Sequence, residues 1–144
     1  MAKFFVWKPE YSVGVKKIDD QHKRLIEIVN DFYTAFTENR NGEKIKEVLN
    51  LLIDYTHYHF TAEEQLMVEA KYPDLQEHKK LHNDFVKVVK SFIDDLNNGR
   101  SSVTYKLMNF LRNWITEHIK EEDKKYAKNM VLYIEQKKDL KEAN

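Results

Sequence analysis

Two pairs of residues near the middle of this chain carry side chains that bind transition metals. His59 is followed by Glu63, and His78 by His82, each pair four residues apart. Four residues on an α-helix is one turn plus about 40°, so the members of a pair lie one above the other on a shared face. Imidazole and carboxylate in that arrangement are the donors of a nitrogen- and oxygen-ligated metal. His22 lies upstream, and His118 and Asp123 lie downstream. The candidate metal set is therefore His22, His59, Glu63, His78, His82, His118 and Asp123. With no cysteine in the chain, a zinc–thiolate site, a disulfide framework and a thiol nucleophile are all excluded.

Seven donors are more than one tetrahedral zinc uses. An imidazole-rich set with two carboxylates suits a pair of iron ions, because each carboxylate can span both. The charges agree: roughly four positive charges on two ferrous ions meet two carboxylates and one bridging hydroxide, and the histidines bind neutral. The carboxylate-rich di-iron bundles need Glu-x-x-His motifs. None is present, so an oxidase or ferritin of that kind is excluded.

Those donors need helices to hold them. Three glycines, two prolines and many Lys, Glu, Leu and Ile residues argue for long helices with few turns. Apolar residues recur at three- and four-residue steps in four stretches, 19–39, 43–70, 74–97 and 102–120. Each stretch carries part of the candidate set on its apolar stripe. Short connections make consecutive helices antiparallel, so the expected fold is an all-α, up-down-up-down four-helix bundle forming one domain, 1–144. An arm, 1–18, would lay Phe4, Phe5, Trp7 and Tyr11 on the core, and a further helical segment is expected over 122–140.

Asp19 or Asp20 is the expected cap of the first helix and Ser101 or Ser102 that of the fourth. Asn-Arg-Asn-Gly at 39–42 and Asn-Asn-Gly at 97–99 are turn signals, and Pro73 marks the break before the third helix. His57 sits about 160° around the helix from His59, so it is the spare histidine. Glu64 is expected on a flank with a surface role. Asp123 follows His118 by five residues, which on a regular helix turns it about 140° away. For both to reach one site, the helix must bulge or break around 120–122.

Charge gives no hint of a polyanionic partner: 24 basic and 24 acidic residues cancel, and no nucleic-acid partner is expected. The start, MAKFFVWKPEYS, has too short an apolar run for a signal-peptide core or a membrane span. A cytoplasmic protein with no membrane partner is expected.

The stretches His59-Phe60-Thr61-Ala62-Glu63, His78-Lys79-Lys80-Leu81-His82 and His118-Ile119-Lys120-Glu121-Glu122-Asp123, preceded by Asp19-Asp20-Gln21-His22-Lys23, resemble the hemerythrins. In whole-chain form, over about residues 5–127, the sequence is similar to the single-domain bacterial members. The resemblance implies a di-iron centre bridged by Glu63, Asp123 and an oxo or hydroxo group. It places one iron on His78, His82 and His118, and the other, with an open position for dioxygen, on His22 and His59. Leu25, Phe60, Trp114, Ile115 and Ile119 are similar to the apolar wall that hemerythrins place around bound oxygen, while core packing alone also accounts for them. Tyr126 has two readings, a hydrogen bond toward the bridge or simple packing. The implied function is reversible dioxygen binding for carriage, storage or delivery to an oxygen-using enzyme. The alternatives are a di-iron stress enzyme acting on peroxide or nitric oxide, and an oxygen sensor acting through a separate partner.

Overall fold

A helix with one apolar stripe buries it only against another such stripe, and four of them close around a common interior. The computed structural model describes residues 5–38, 42–100 and 103–143. Its main helices are α1 (Lys16–Thr37), α2 (Gly42–Glu69), α3 (Leu75–Asn97) and α4 (Val103–Glu117). Each packs on the next and α4 closes back on α1, which makes the antiparallel bundle. Phe4, most of the turn at 39–42, and both Ser101 and Ser102 lie outside the described residues, as does the side chain of Val103.

Two local features depart from the sequence expectation, and a third resolves one of its alternatives. Neither Asp19 nor Asp20 caps α1, because that helix begins earlier, with Val15 at its N-terminal boundary. Asp19 instead reaches back into the arm, accepting from the Ser12 hydroxyl at 2.5 Å and the Val13 N–H at 2.8 Å. Asp20 pairs on the surface with Lys16 at 2.6 Å. Secondly, α2 ends in a Schellman turn in which Tyr72 N–H donates to Met67 O and Lys71 N–H to Val68 O. The left-handed position, usually glycine, is Lys71 at φ 55°. Thirdly, α4 passes through a π-helical turn, His118–Glu122, straight into α5 (Asp123–Ala143). The helix therefore bulges around 120–122 and does not break, and the C-terminal segment continues α4.

The arm is tied down by a paired amide. Phe5 N–H donates to Asn30 Oδ1 and Asn30 Nδ2 donates to Phe5 O, both at 2.8 Å. Trp7 packs edge-on to Tyr11 at 5.7 Å, under the Lys23 ammonium at 5.3 Å. Gly14, at φ 78°, takes a left-handed backbone that other residues rarely adopt, and a Cβ there would press to 3.2 Å from Val131 Cγ2.

The interior has two apolar clusters. One gathers Leu25, Phe32, Leu52, Phe60, Phe85, Leu111, Ile115 and Ile119; the other gathers Ile18, Met67, Tyr72, Tyr126 and Met130. His22 comes between Ile18 and Leu25 on α1, and Glu63 between Phe60 and Met67 on α2. Every candidate donor thus falls in the layer where the clusters meet. Among the described residues no helix is long and apolar enough to cross a membrane.

Candidate metal centre

Helical spacing carries His59 and Glu63 inward from α2, and His78 and His82 inward from α3. His22 enters from α1, His118 from the start of the π turn, and Asp123 from the first position of α5. All seven side chains are buried. The five imidazoles present the same atom, Nε2, to a common centre. The π turn closes the awkward spacing: Asp123 N–H donates to His118 O five residues back, and Asp123 Oδ1 lies 2.9 Å from His118 Nε2.

The two carboxylates straddle the centre. Glu63 Oε1 lies 3.0 Å from both His78 and His82, while its Oε2 is 3.1 Å from His59 and 3.5 Å from His22. Asp123 divides in the same sense, with Oδ1 3.0 Å from His78 and Oδ2 3.1 Å from His22. Two groups of donors result, each lying within 4.8 Å of one another: His78, His82 and His118 with both acids, and His22 and His59 with Glu63.

Hydrogen bonding leaves this centre incomplete. His22 Nε2, Glu63 Oε2 and both Asp123 oxygens are buried with no hydrogen-bond partner, despite the short approaches. A buried orphan of this kind costs about 1–3 kcal/mol. Four aimed at one point, all of them electron-pair donors when the rings are neutral, fit a site built for cations. His82 and His118 bring Nε2 to Nε2 at 3.1 Å, so one ring must carry a proton between them, or a cation must take its place.

The electrostatics agree. Burial opposes charge on His22 and His78, but the close carboxylates of Asp123 and Glu63 outweigh it and hold both rings up at about 9. Burial likewise opposes charge on Glu63 and Asp123, and Glu63 adds to that on Asp123, yet the imidazoles hold both acids well below the ordinary carboxylate range. Burial pushes His59 down.

Two residues that sequence reasoning left outside the candidate set complete the imidazoles. His59 Nδ1 donates to Gln21 Oε1 at 2.7 Å, and His82 Nδ1 donates to Glu64 Oε2 at 2.8 Å. Glu64 is therefore turned to the site, not to a purely surface role. Each partner sits next to a candidate donor of its own helix, and that adjacency was the available signal. His57 is exposed, on the far side of α2 from the centre.

Leu25, Phe60, Ile115 and Ile119 are buried in one apolar cluster, with Trp114 half-buried against it. Phe60 lies flat on His82, with ring centroids 3.7 Å apart and planes 2° from parallel; Trp114 stacks on His118 at 4.2 Å and 11°. Both therefore pack on rings of the three-histidine group. Tyr126 is fully buried and edge-on to His78 at 5.3 Å. Burial, with Asp123 and Glu63 close by, pushes its hydroxyl well above the ordinary tyrosine range.

This architecture has counterparts among known proteins. A bacteriohemerythrin of Clostridium acetobutylicum is 32% identical over 126 residues, which cover 85% of this chain and 98% of that protein. One from Methylococcus capsulatus is 36% identical over 119 residues, covering 82% and 89%. A crystal structure of wild-type hemerythrin superposes with a TM-score of 0.80 at 32% identity, over 88% of this chain and 98% of that one. The hemerythrin HHE cation binding domain matches residues 13–129, and the chain belongs to that family.

Proposed function

We propose that this chain binds dioxygen reversibly at a pair of iron ions, for carriage, storage or delivery to an oxygen-using enzyme. The observation that carries the proposal is the straddle: Glu63 and Asp123 each turn one oxygen toward either histidine group. In this reading His78, His82 and His118 would hold one iron and His22 and His59 the other, with Glu63 and Asp123 offering a carboxylate oxygen to each side. When bound, the iron pair supplies the electrons that dioxygen binding takes up and that release returns. With three imidazoles on one side and two on the other, the side of His22 and His59 would be the one able to admit a small ligand.

The chain's own part is to hold the donors and keep the surroundings dry. Leu25, Phe60, Ile115 and Ile119 are each 5% exposed or less, and with Trp114 they give the interior an apolar wall with few proton donors. Such a wall favours release of an intact small ligand over chemistry on a second substrate. The five imidazoles, each free to present a lone pair at Nε2, supply neutral donors, so the bridging acids carry the charge compensation.

The test is iron content together with optical spectroscopy under oxygen and under vacuum. Two irons per chain and an oxygenated spectrum that reverts when oxygen is withdrawn are the expected result. Irreversible oxidation with peroxide turnover would replace this reading with that of a stress enzyme.

A further inference from the structure

The two histidine groups differ in what stands behind them. On one side, His82 Nδ1 donates to a carboxylate, Glu64, at 2.8 Å. On the other, His59 Nδ1 donates to a neutral amide, Gln21, at 2.7 Å. A hydrogen bond to an anion is roughly twice as strong as one between neutral groups, and it raises the basicity of the far ring nitrogen. His82 Nε2 is therefore the stronger metal donor of the two.

Packing points the same way. His82 and His118 each lie under a flat aromatic ring, Phe60 and Trp114, so their planes are set before any cation arrives. Among the described residues His22 has no hydrogen-bond partner at Nδ1, and its ring meets that of His59 edge-on at 4.7 Å. Donor numbers add to the contrast, with three imidazoles on the first side and two on the second.

We propose that Glu64 and Gln21 are positioning residues that make the two metal positions unequal, so that the side of His78, His82 and His118 takes its cation first and holds it more tightly. The inference rests on the metal-binding reading above and goes beyond it by naming the order of filling and the residues that set it. Geometry explains how each partner reaches across. Glu64 follows Glu63 on α2 and is turned about 100° around the helix, toward α3. Gln21 precedes His22 on α1 and is turned by the same angle toward α2. Gln21 is 6% exposed, so its amide has little water to turn to.

The experiment is a titration of the metal-free full-length protein with cobalt(II) alone, followed by visible absorption and calorimetry. The parent chain should bind two ions in two steps. Glu64→Gln keeps an acceptor but removes the charge, and should weaken the tighter step by about 10-fold while leaving the weaker one within about twofold. Glu64→Ala also removes the acceptor and should carry the loss toward about 100-fold. Gln21→Met should do the reverse, weakening the second step by about 10-fold and sparing the first. A variant that merely loosened the bundle would weaken both steps together, and that outcome overturns the assignment. Two equal steps in the parent, or variants that change neither, overturn it as well while leaving the metal-binding reading intact. A parent chain that takes up no cobalt overturns both.

Discussion

Phe60→Ala should be among the costliest single changes outside the metal donors. The ring is 5% exposed, lies flat on His82 at 3.7 Å, meets Phe85 edge-on at 5.8 Å and tilts against Trp114 at 5.8 Å. Removing a buried phenylalanine side chain costs about 3–5 kcal/mol, as lost transfer free energy plus the cavity left behind. The larger values apply where the surroundings cannot close in. Here Phe85 and Trp114 are already packed on each other at 4.2 Å, and His82 is held by Glu64, so little can move into the gap. The expected loss is about 4 kcal/mol. Phe60→Leu keeps most of the volume and forfeits mainly the aromatic contacts, so it should cost about 1.5 kcal/mol. Urea denaturation of the metal-free protein, followed by far-ultraviolet circular dichroism, measures both; an unchanged dependence on urea licenses the comparison. The alanine variant should also weaken the tighter cobalt step, although Phe60 offers no donor atom, because the His82 ring loses the wall that sets its plane. A loss below about 1 kcal/mol, or equal losses for the two variants, would refute the packing argument.

Metal-free stability should depend on pH through His22 and His78. Their values are held up at about 9 from an ordinary 6.5, so the stability they contribute is fully present below about 6.5 and lost as pH rises through about 9. Denaturation midpoints at pH 7 and pH 9.5 should therefore fall with rising pH, and added metal should reverse the trend because it binds the unprotonated rings; a flat metal-free profile contradicts this. Lys71→Gly should stabilise the protein by about 0.5–1 kcal/mol, since it relieves a left-handed lysine at some cost in unfolded-chain freedom. A lower melting temperature for that variant would mean that the Lys71 side chain earns its strained backbone. His57→Ala should leave iron content unchanged, and loss of iron would show that α2 is phased differently about its axis.

The bundle and the convergence of the donors were legible because both rest on one arithmetic, the turn of the α-helix. His59 and Glu63, and His78 and His82, repeat at the interval that puts side chains on one face. The same arithmetic flagged the interval from His118 to Asp123 as irregular. What it did not show were contacts made across helices. Gln21 and Glu64 lie about 100° away from the inward donors they follow or precede. Whether such flank residues reach a neighbour's ring depends on side-chain length and on the distance between helices, neither of which periodicity records. Asp19 was misassigned as a cap for a related reason. Its carboxylate satisfies backbone and hydroxyl donors of the arm, and that partnership depends on how the arm folds back. Lys71 left no trace either, since nothing in a lysine announces a positive φ.

The π turn also decides how the end of the chain is phased. Up to His118 the buried positions of α4 follow the ordinary helical count, with Leu107, Leu111 and Ile115 among them. After it, burial resumes at Asp123, Tyr126 and Met130, one place later than an unbroken helix would put it. The widened turn absorbs a single surplus residue, and α5 takes its rotational origin from the acid, not from His118. Shortening the loop of helix by one exposed residue, such as Lys120, would set the acid four places after His118, about 40° around and still on the inward face, with Tyr126 and Met130 carried along in step. Lengthening it by one would swing all three away from the interior together, so the tolerance of this helix to insertion and deletion is one-sided.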